Sequence, residues 1–242
     1  MKIAIIGYGK MGHIIEEVAK SRGHEIVAVI DKDNTADFAG RQFASADVAI
    51  EFSTPATAVD NILASWAQEV PVVSGTTGWQ DRLEELQALC RKGEGTLLWS
   101  SNFSIGVNIF LEVNRRCAEL MCGHHEYTPT LTETHHIHKL DHPSGTAVTI
   151  AETIIKENQE TRQWIEVEEE GTEVHDGVLP VHAIRRGEVP GIHEVKWDSA
   201  DDTLTLIHSA KSRRGFALGA VMAAEWLKGR RGYFTMRDFL QF

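Results

Sequence analysis

Four histidines and a lysine fall within residues 135–142 of the stretch Glu133-Thr134-His135-His136-Ile137-His138-Lys139-Leu140-Asp141-His142-Pro143-Ser144-Gly145-Thr146-Ala147. Imidazole, with an ordinary pKa near ~6.5, exchanges protons at neutral pH, and a lysine beside it adds positive charge. If the first half is a strand, His135, Ile137 and Lys139 share one face and His136 and His138 the other. His135 and Lys139 would then lie about 13 Å apart at ~3.3 Å per residue, and a bulge or turn near Leu140 and Asp141 could bring them to one substrate. The second half has a different logic. Pro143 stands just before a predicted helix whose first backbone N–H groups lack internal partners. Ser144, Gly145 and Thr146 would offer those groups and two hydroxyls to an anion, most naturally a carboxylate. Proton donors beside an anion cradle suit a small acidic substrate.

Charge and cysteine usage narrow the classes. The 242 residues suffice for two small domains, and 24 basic against 35 acidic side chains give a net charge of −11. No dense basic patch marks a phosphate-tracking surface, so a nucleic-acid binder is not expected. An acidic protein that takes an acidic metabolite must concentrate positive charge locally, which draws attention to Lys139, Arg185 and Arg186. Cys90, Cys117 and Cys122 are odd in number and widely spaced, which argues against a disulfide framework or a zinc knuckle. The apolar run Ile3–Ile6 is too short for a signal-peptide core or a membrane span, and a cytoplasmic location with no membrane partner is expected.

The elements that must position these residues begin at the N-terminus. Ile3–Ile6 reads as a buried strand, followed by Gly7-Tyr8-Gly9-Lys10-Met11-Gly12 and a helix whose apolar face carries Met11, Ile14, Ile15, Val18 and Ala19. Gly23 ends that helix, and a second strand, Glu25–Ile30, ends in Asp31. Strand, glycine turn, helix, strand and acid in that order form the dinucleotide-binding fingerprint. Gly7 permits the tight turn, Gly9 lets the pyrophosphate approach the backbone, with Lys10 and Met11 opening the helix, and Gly12 lets helix and strand pack closely. Asp31 would accept from the adenosine ribose hydroxyls, whereas Lys32 would pair with a 2′-phosphate, so NADH and NADPH both remain open.

The alternation continues. Strands at Asp47–Phe52, Val70–Val73 and Thr96–Trp99 are separated by helices carrying Ala58, Ile62, Leu63 and Trp66, then Leu83, Leu86 and Leu89. This predicts an α/β, doubly wound parallel sheet of Rossmann type, with polar tails at Phe52–Pro55, Ser74–Gly78 and Ser100–Ser104 on its carboxyl edge. From Ile105 the pattern changes to a long helix reaching Met121, then a strand at Pro129–Lys139 and a helix at Thr146–Lys156. Strand-like runs at Leu179–Arg185, Ile192–Trp197 and Thr203–His208 suggest an open, mostly antiparallel sheet in a second, α+β domain. Between them Glu166–Gly177 is acidic and weakly patterned, and reads as a loop.

These residues together resemble the dihydrodipicolinate reductase family nearly end to end. The resemblance rests on the glycine turn, Ser74-Gly75-Thr76-Thr77-Gly78, Asn102-Phe103-Ser104-Ile105-Gly106-Val107-Asn108, the Glu133–Ala147 block, Arg185-x-Gly187 and Ser212-Arg213-x-x-Phe216-Ala217-x-Gly219-Ala220. It implies a dinucleotide-binding domain made from both chain ends, residues 1–103 with 213–242. It also implies a substrate-binding and oligomerisation domain at 104–212 on an open mixed sheet, usually within a homotetramer. By motif position, His135 is the acid/base residue, Lys139 a second proton donor and His136 a substrate contact, while Ser144, Gly145 and Thr146 hold a substrate carboxylate. Gly75, Thr76 and Thr77, and Ser100, Ser101, Asn102 and Phe103, fall at the nicotinamide end of the cofactor. Three features depart from the family pattern: a glycine turn one residue short, His142 in place of a small residue, and a short segment between Asp31 and Asp47.

The implied reaction is NAD(P)H-dependent reduction of 4-hydroxy-tetrahydrodipicolinate to tetrahydrodipicolinate in lysine and diaminopimelate synthesis. The alternatives are another NAD(P)-dependent dehydrogenase of a small acidic substrate and a non-catalytic dinucleotide sensor. His124, His125, His138, His175, His182, His193 and His208 read as hydrogen-bonding structural residues, and Arg185, Arg186, Arg213 and Arg214 read equally well as surface charge. A zinc site on His136 and His138 lacks a carboxylate or thiolate at ligand spacing, and no metal is expected.

Overall fold

The structure is a computed structural model that describes residues 1–169 and 171–242. The chain divides into two compact units, Met1–Asn108 with Arg213–Phe242, and Ile109–Ser212.

The first unit is built on β1 (Lys2–Ile6), α1 (Lys10–Ser21), β2 (Glu25–Ile30), α2 (Arg41–Ala44), β3 (Val48–Glu51), α3 (Ala58–Trp66), β4 (Val72–Ser74), α4 (Leu83–Arg91) and β5 (Leu97–Trp99). α5 (Ile105–Met121) starts in this unit and continues into the second. Its strands form a six-stranded sheet, completed by a strand from the C-terminal segment and parallel throughout. Alternation along β1 shows why both faces are covered. Ile3 and Ile5 pack into one cluster with Ile15 and Val18 of α1, while Ala4 and Ile6 pack into another with Ile62 of α3 and Leu86 of α4. A parallel strand buried on both faces needs apolar residues at every position, and β1 after Lys2 is Ile-Ala-Ile-Ile.

The second unit contains β6 (Thr128–His135), α6 (Gly145–Glu157), β7 (Gln163–Val167), β8 (Val178–Arg185), β9 (Ile192–Asp198) and β10 (Thr203–Ser209). Its five strands lie in the order β10-β9-β6-β8-β7. The β10/β9 and β9/β6 ladders are antiparallel, whereas β6/β8 and β8/β7 are parallel, so the sheet is evenly mixed rather than mostly antiparallel. The difference comes from β7, a short strand that the sequence reading partly assigned to the acidic loop. Leu131, Leu179, Val181, Val195 and Trp197 form the face that packs on Phe110 and Ala118 of α5 and Ile150 and Ile154 of α6.

The chain then returns to the first unit with α7 (Arg214–Leu227), β11 (Tyr233–Phe234) and α8 (Met236–Leu240). Ala217, Ala220, Val221, Ala223 and Ala224 of α7 join the cluster of α1 and β1, and a side chain at Gly219 would overlap the Phe103 carbonyl. Small residues on one helix face permit that close approach. β11 pairs with the edge of β5. No helix among the described residues is long and apolar enough to cross a membrane.

Candidate active site

β6 ends at His135, four residues short of the predicted Lys139, because its partner β8 ends opposite at Arg185 and turns away through Gly187, whose φ is +50°. The chain follows that turn: the Ile137 N–H donates to the Gly187 carbonyl at 3.1 Å, and the Lys139 N–H donates to the His136 carbonyl at 3.2 Å. His136 and His138 therefore do not alternate with His135 along a strand, and their rings lie 5.9 Å apart across the turn. The reversal starts at Ile137, earlier than the Leu140–Asp141 position expected from the sequence.

Within β6 the side-chain period of two puts Leu131, Glu133 and His135 on the face covered by α5 and α6. Register does the rest. Glu133 stands opposite His193 of β9, and His135 stands opposite Arg185 of β8. Where α6 begins, the apolar layer gives way to this polar cluster, and Glu133 is its centre. The Ser144 N–H donates to Glu133 Oε1 at 2.9 Å, both terminal nitrogens of Arg185 donate to the same oxygen at 3.2 Å, and the Ser144 hydroxyl donates to Oε2. His135 Nδ1 lies 3.2 Å from Oε2, and His193 Nε2 lies 3.6 Å from it. Burial alone would push the Glu133 carboxyl up, but the adjacent His135 and His193 rings and the bonds from Ser144 outweigh it and hold the group far below the usual carboxylate range.

Glu133, His135 and His193 also bring ligand-type atoms within 4.8 Å of one another. The Arg185 guanidinium already faces the carboxylate, which disfavours a cation there, and the cluster works as a hydrogen-bond hub. Arg185 is thus no surface charge: its side chain is 15% exposed and also donates to the Asp141 carbonyl at 2.5 Å, tying the turn to the sheet. His135 is packed edge-on to His193 with centroids 5.1 Å apart. Gly191, at φ +154°, leaves room for it, since a Cβ there would sit 3.0 Å from His135 Nε2.

The helix start differs from the simple cradle. Ser144 caps α6 by accepting from the Ala147 N–H at 3.2 Å, and it is buried with its own donors engaged by Glu133. An incoming anion therefore meets Gly145 and Thr146 rather than Ser144. Lys139 Nζ donates to Asp141 at 2.7 and 2.9 Å, so the expected second proton donor lies at an ion pair beside that helix start. Burial would raise the Asp141 carboxyl, and Lys139 together with the Gly145 N–H lowers it. His142, the departure from the family pattern, pairs with Glu166 of β7 and precedes a cis bond to Pro143.

In the first unit, the fingerprint glycines occupy the turn from β1 into α1. Gly7 has φ +87°, and a side chain on it would overlap the Phe52 carbonyl, while one on Gly12 would overlap the Gly7 carbonyl. Gly9 is different: a Cβ there has nothing within 4 Å, and no side chain caps α1, which continues through Lys10 and Met11. Open space above uncapped helix N–H groups fits a dinucleotide diphosphate. Asp31 and Lys32 are exposed just past β2, and Asp31 Oδ1 accepts from the Lys32 N–H at 2.9 Å. The cofactor residues offered by this unit therefore fit an NADH or NADPH diphosphate and ribose. Thr76 is buried with its hydroxyl bonded inside the protein, leaving Gly75 and exposed Thr77 on the loop surface. Ser100 and Asn102 bond to each other, Ser101 is exposed, and Phe103 is a core residue.

The family profile described as dihydrodipicolinate reductase, N-terminus, matches residues 1–103, and the one described as dihydrodipicolinate reductase, C-terminus, matches residues 106–240. The chain belongs to the dihydrodipicolinate reductase family. It is 44% identical to the 4-hydroxy-tetrahydrodipicolinate reductase of Christiangramia forsetii, over 99% of this chain and 98% of that one. It is 33% identical to the enzyme of that name from Archaeoglobus fulgidus, over the full length of both. Its fold is similar to that of a dipicolinate-bound dihydrodipicolinate reductase from Paenisporosarcina, with a TM-score of 0.76, 21% identity and 97% of each chain covered.

Sequence reasoning did not single out Glu133 as functional, assigned His193 a structural role and left Arg185 undecided. One signal was available for Glu133: it lies two residues before His135 and so shares its face on any strand. Nothing local linked either residue to His193.

Proposed function

We propose that His135 and Lys139 serve as proton donors in the reduction of 4-hydroxy-tetrahydrodipicolinate to tetrahydrodipicolinate. The protein is an NAD(P)H-dependent oxidoreductase of lysine and diaminopimelate biosynthesis, in line with family profiles that together span nearly the whole chain and with the 44% identical relative. The observation that carries the residue assignment is the Glu133–His135 contact. The Glu133 carboxylate, 3.2 Å from Nδ1, faces that side of the ring and leaves Nε2 as the nitrogen that passes a proton.

NADH or NADPH, when bound, supplies the hydride. Gly9 and the first N–H groups of α1 hold the diphosphate, Asp31 or Lys32 reads the ribose end, and Gly75, Thr77 and the Ser100–Asn102 loop flank the nicotinamide end. Gly145, Thr146 and Lys139 bind a substrate carboxylate, with Lys139 exchanging Asp141 for it, and His136 adds a side contact. The ring hydroxyl departs as water with a proton from the neighbouring ring carbon, and once reduction would place negative charge on the ring nitrogen side, His135 supplies the proton that neutralises it. Lys139 keeps the local field positive while that charge develops.

The test is cofactor consumption at the nicotinamide absorbance band with freshly generated substrate, for the native protein and for His135→Gln. The expected result is turnover reduced by ~10²–10⁴ with cofactor affinity near normal. Near-native turnover in the variant would remove His135 as the acid. We further propose a homotetrameric, cytoplasmic enzyme. Ile165 and Ile207, 42% and 59% exposed on the sheet face away from α5 and α6, are apolar surface that association would cover. Light scattering that gave a monomer at micromolar concentration would end that proposal.

A further inference from the structure

We infer that Glu51 is a positioning residue for the cofactor, a buried carboxylate that fixes the two loops on the nicotinamide side. This rests on the dinucleotide reading of the first unit. Glu51 is the last residue of β3 and is fully buried, although Ala49 and Ile6, which share its face of the sheet, are apolar. Burying a carboxylate there is costly unless donors surround it, and they do. Its Oε1 accepts from the Ser53 N–H at 2.9 Å, from the Thr76 hydroxyl at 2.9 Å and from the Ser53 hydroxyl, while Oε2 accepts from the Ser74 hydroxyl at 2.6 Å. The Glu51 carbonyl also accepts from the Gly75 N–H at 2.9 Å. One side chain thus joins the loop after β3 to the loop after β4.

The same loop is held from its other side. The Thr76 carbonyl accepts from the indole N–H groups of Trp79 at 2.8 Å and Trp99 at 3.0 Å. A Cβ on Gly75 would overlap the Phe52 ring, so the backbone lies flat against that aromatic. With the hydroxyl, the carbonyl and the Gly75 backbone all anchored, the surface left to a ligand is Gly75 and Thr77.

Sheet order says which part of the ligand that is. β1 lies between β2 and β3. The diphosphate space is at Gly9, at the end of β1, and Asp31 is at the end of β2. The adenosine half therefore lies toward β2, and the nicotinamide half extends over the ends of β3 and β4, where Glu51 joins the loops. None of its bonds reaches the β2 side.

The geometry makes a split that general destabilisation would not produce. In Glu51→Gln one acceptor oxygen becomes an NH₂ donor, which must face either the Ser74 hydroxyl that donates to Oε2 or the donors that converge on Oε1, so at least one anchoring bond is reversed or lost. Binding of NADH and of ADP-ribose, which lacks the nicotinamide, is measured by calorimetry on the full chain. The NADH dissociation constant should rise about 10-fold, while that of ADP-ribose stays within about twofold. Ser74→Ala, which removes the single donor to Oε2, should move NADH in the same direction by about threefold, and it decides the matter if Glu51→Gln does not fold. Unchanged NADH affinity, or equal weakening of both ligands, would overturn the proposal. The readout is binding, so a protein that binds NADH without reducing the substrate would defeat the proposed function and leave this inference standing.

Discussion

Glu133→Gln is the sharpest probe of the proposed active site. The substitution keeps the shape of the side chain but removes its charge and turns one acceptor oxygen into a donor. Glu133 is fully buried and faces Arg185, whose side chain is 15% exposed, with the Ser144 N–H and hydroxyl completing its shell. Removing one partner from a buried pair costs about 3–5 kcal/mol, since the guanidinium keeps its desolvation without its counter-charge. In a protein of this size that is a melting temperature lower by on the order of 10 °C.

Catalysis should suffer too, because His135 loses the carboxylate 3.2 Å from Nδ1. A fall in kcat of about 10- to 100-fold is expected, less than for loss of the imidazole itself. The acid side carries a further signature. The folded Glu133 carboxyl titrates far below its ordinary value of 4.5, so the unfolded chain binds more protons in that window. Its contribution to stability is complete above that ordinary value and is lost as the pH falls toward the folded value. Glu133→Gln should therefore flatten the fall in stability below about pH 4.5. Thermal melts from pH 3 to 7 and steady-state kinetics at saturating cofactor measure both effects. A variant with kcat within twofold of native and an unchanged acid slope would refute the hub.

Three other perturbations separate the remaining roles. Gly9→Ala places its Cβ in open space, so the melting temperature should hold while NADH affinity falls by about 10-fold, as measured by calorimetry. Gly191→Ala brings a Cβ within 3.0 Å of His135 Nε2 at a φ that side chains disfavour, so kcat/KM should fall by about 10- to 100-fold; native kinetics would show that the ring can shift freely. Lys32→Glu should raise KM for NADPH more than for NADH, and equal effects on both would remove Lys32 as the phosphate reader.

The parts of the molecule that could be read along the chain are those governed by short-range periodicity. β2 and α5 occupy the expected residues, 25–30 and 105–121, because a six-residue apolar strand and a 17-residue helical stripe are complete patterns in themselves. The glycine turn was legible for the same reason, since its meaning lies in backbone freedom at fixed spacing. β11 was not, because Tyr233–Phe234 is two residues long and becomes a strand only by pairing with β5. β6 stopped early because its length is set by β8, a strand far along the chain.

The candidate active site divides along the same line. His135, Lys139 and the Ser144–Thr146 helix start could be named as candidates from their types and spacing, and His136 from the family resemblance. The charge that holds His135 could not, because Glu133 is joined to Arg185 and Ser144 to His193 across separations of 52 and 49 residues. Residue type determines what chemistry a side chain can perform. Which carboxylate lies beside which imidazole is decided by strand register, and register is settled only when the whole sheet has assembled and buried its apolar face.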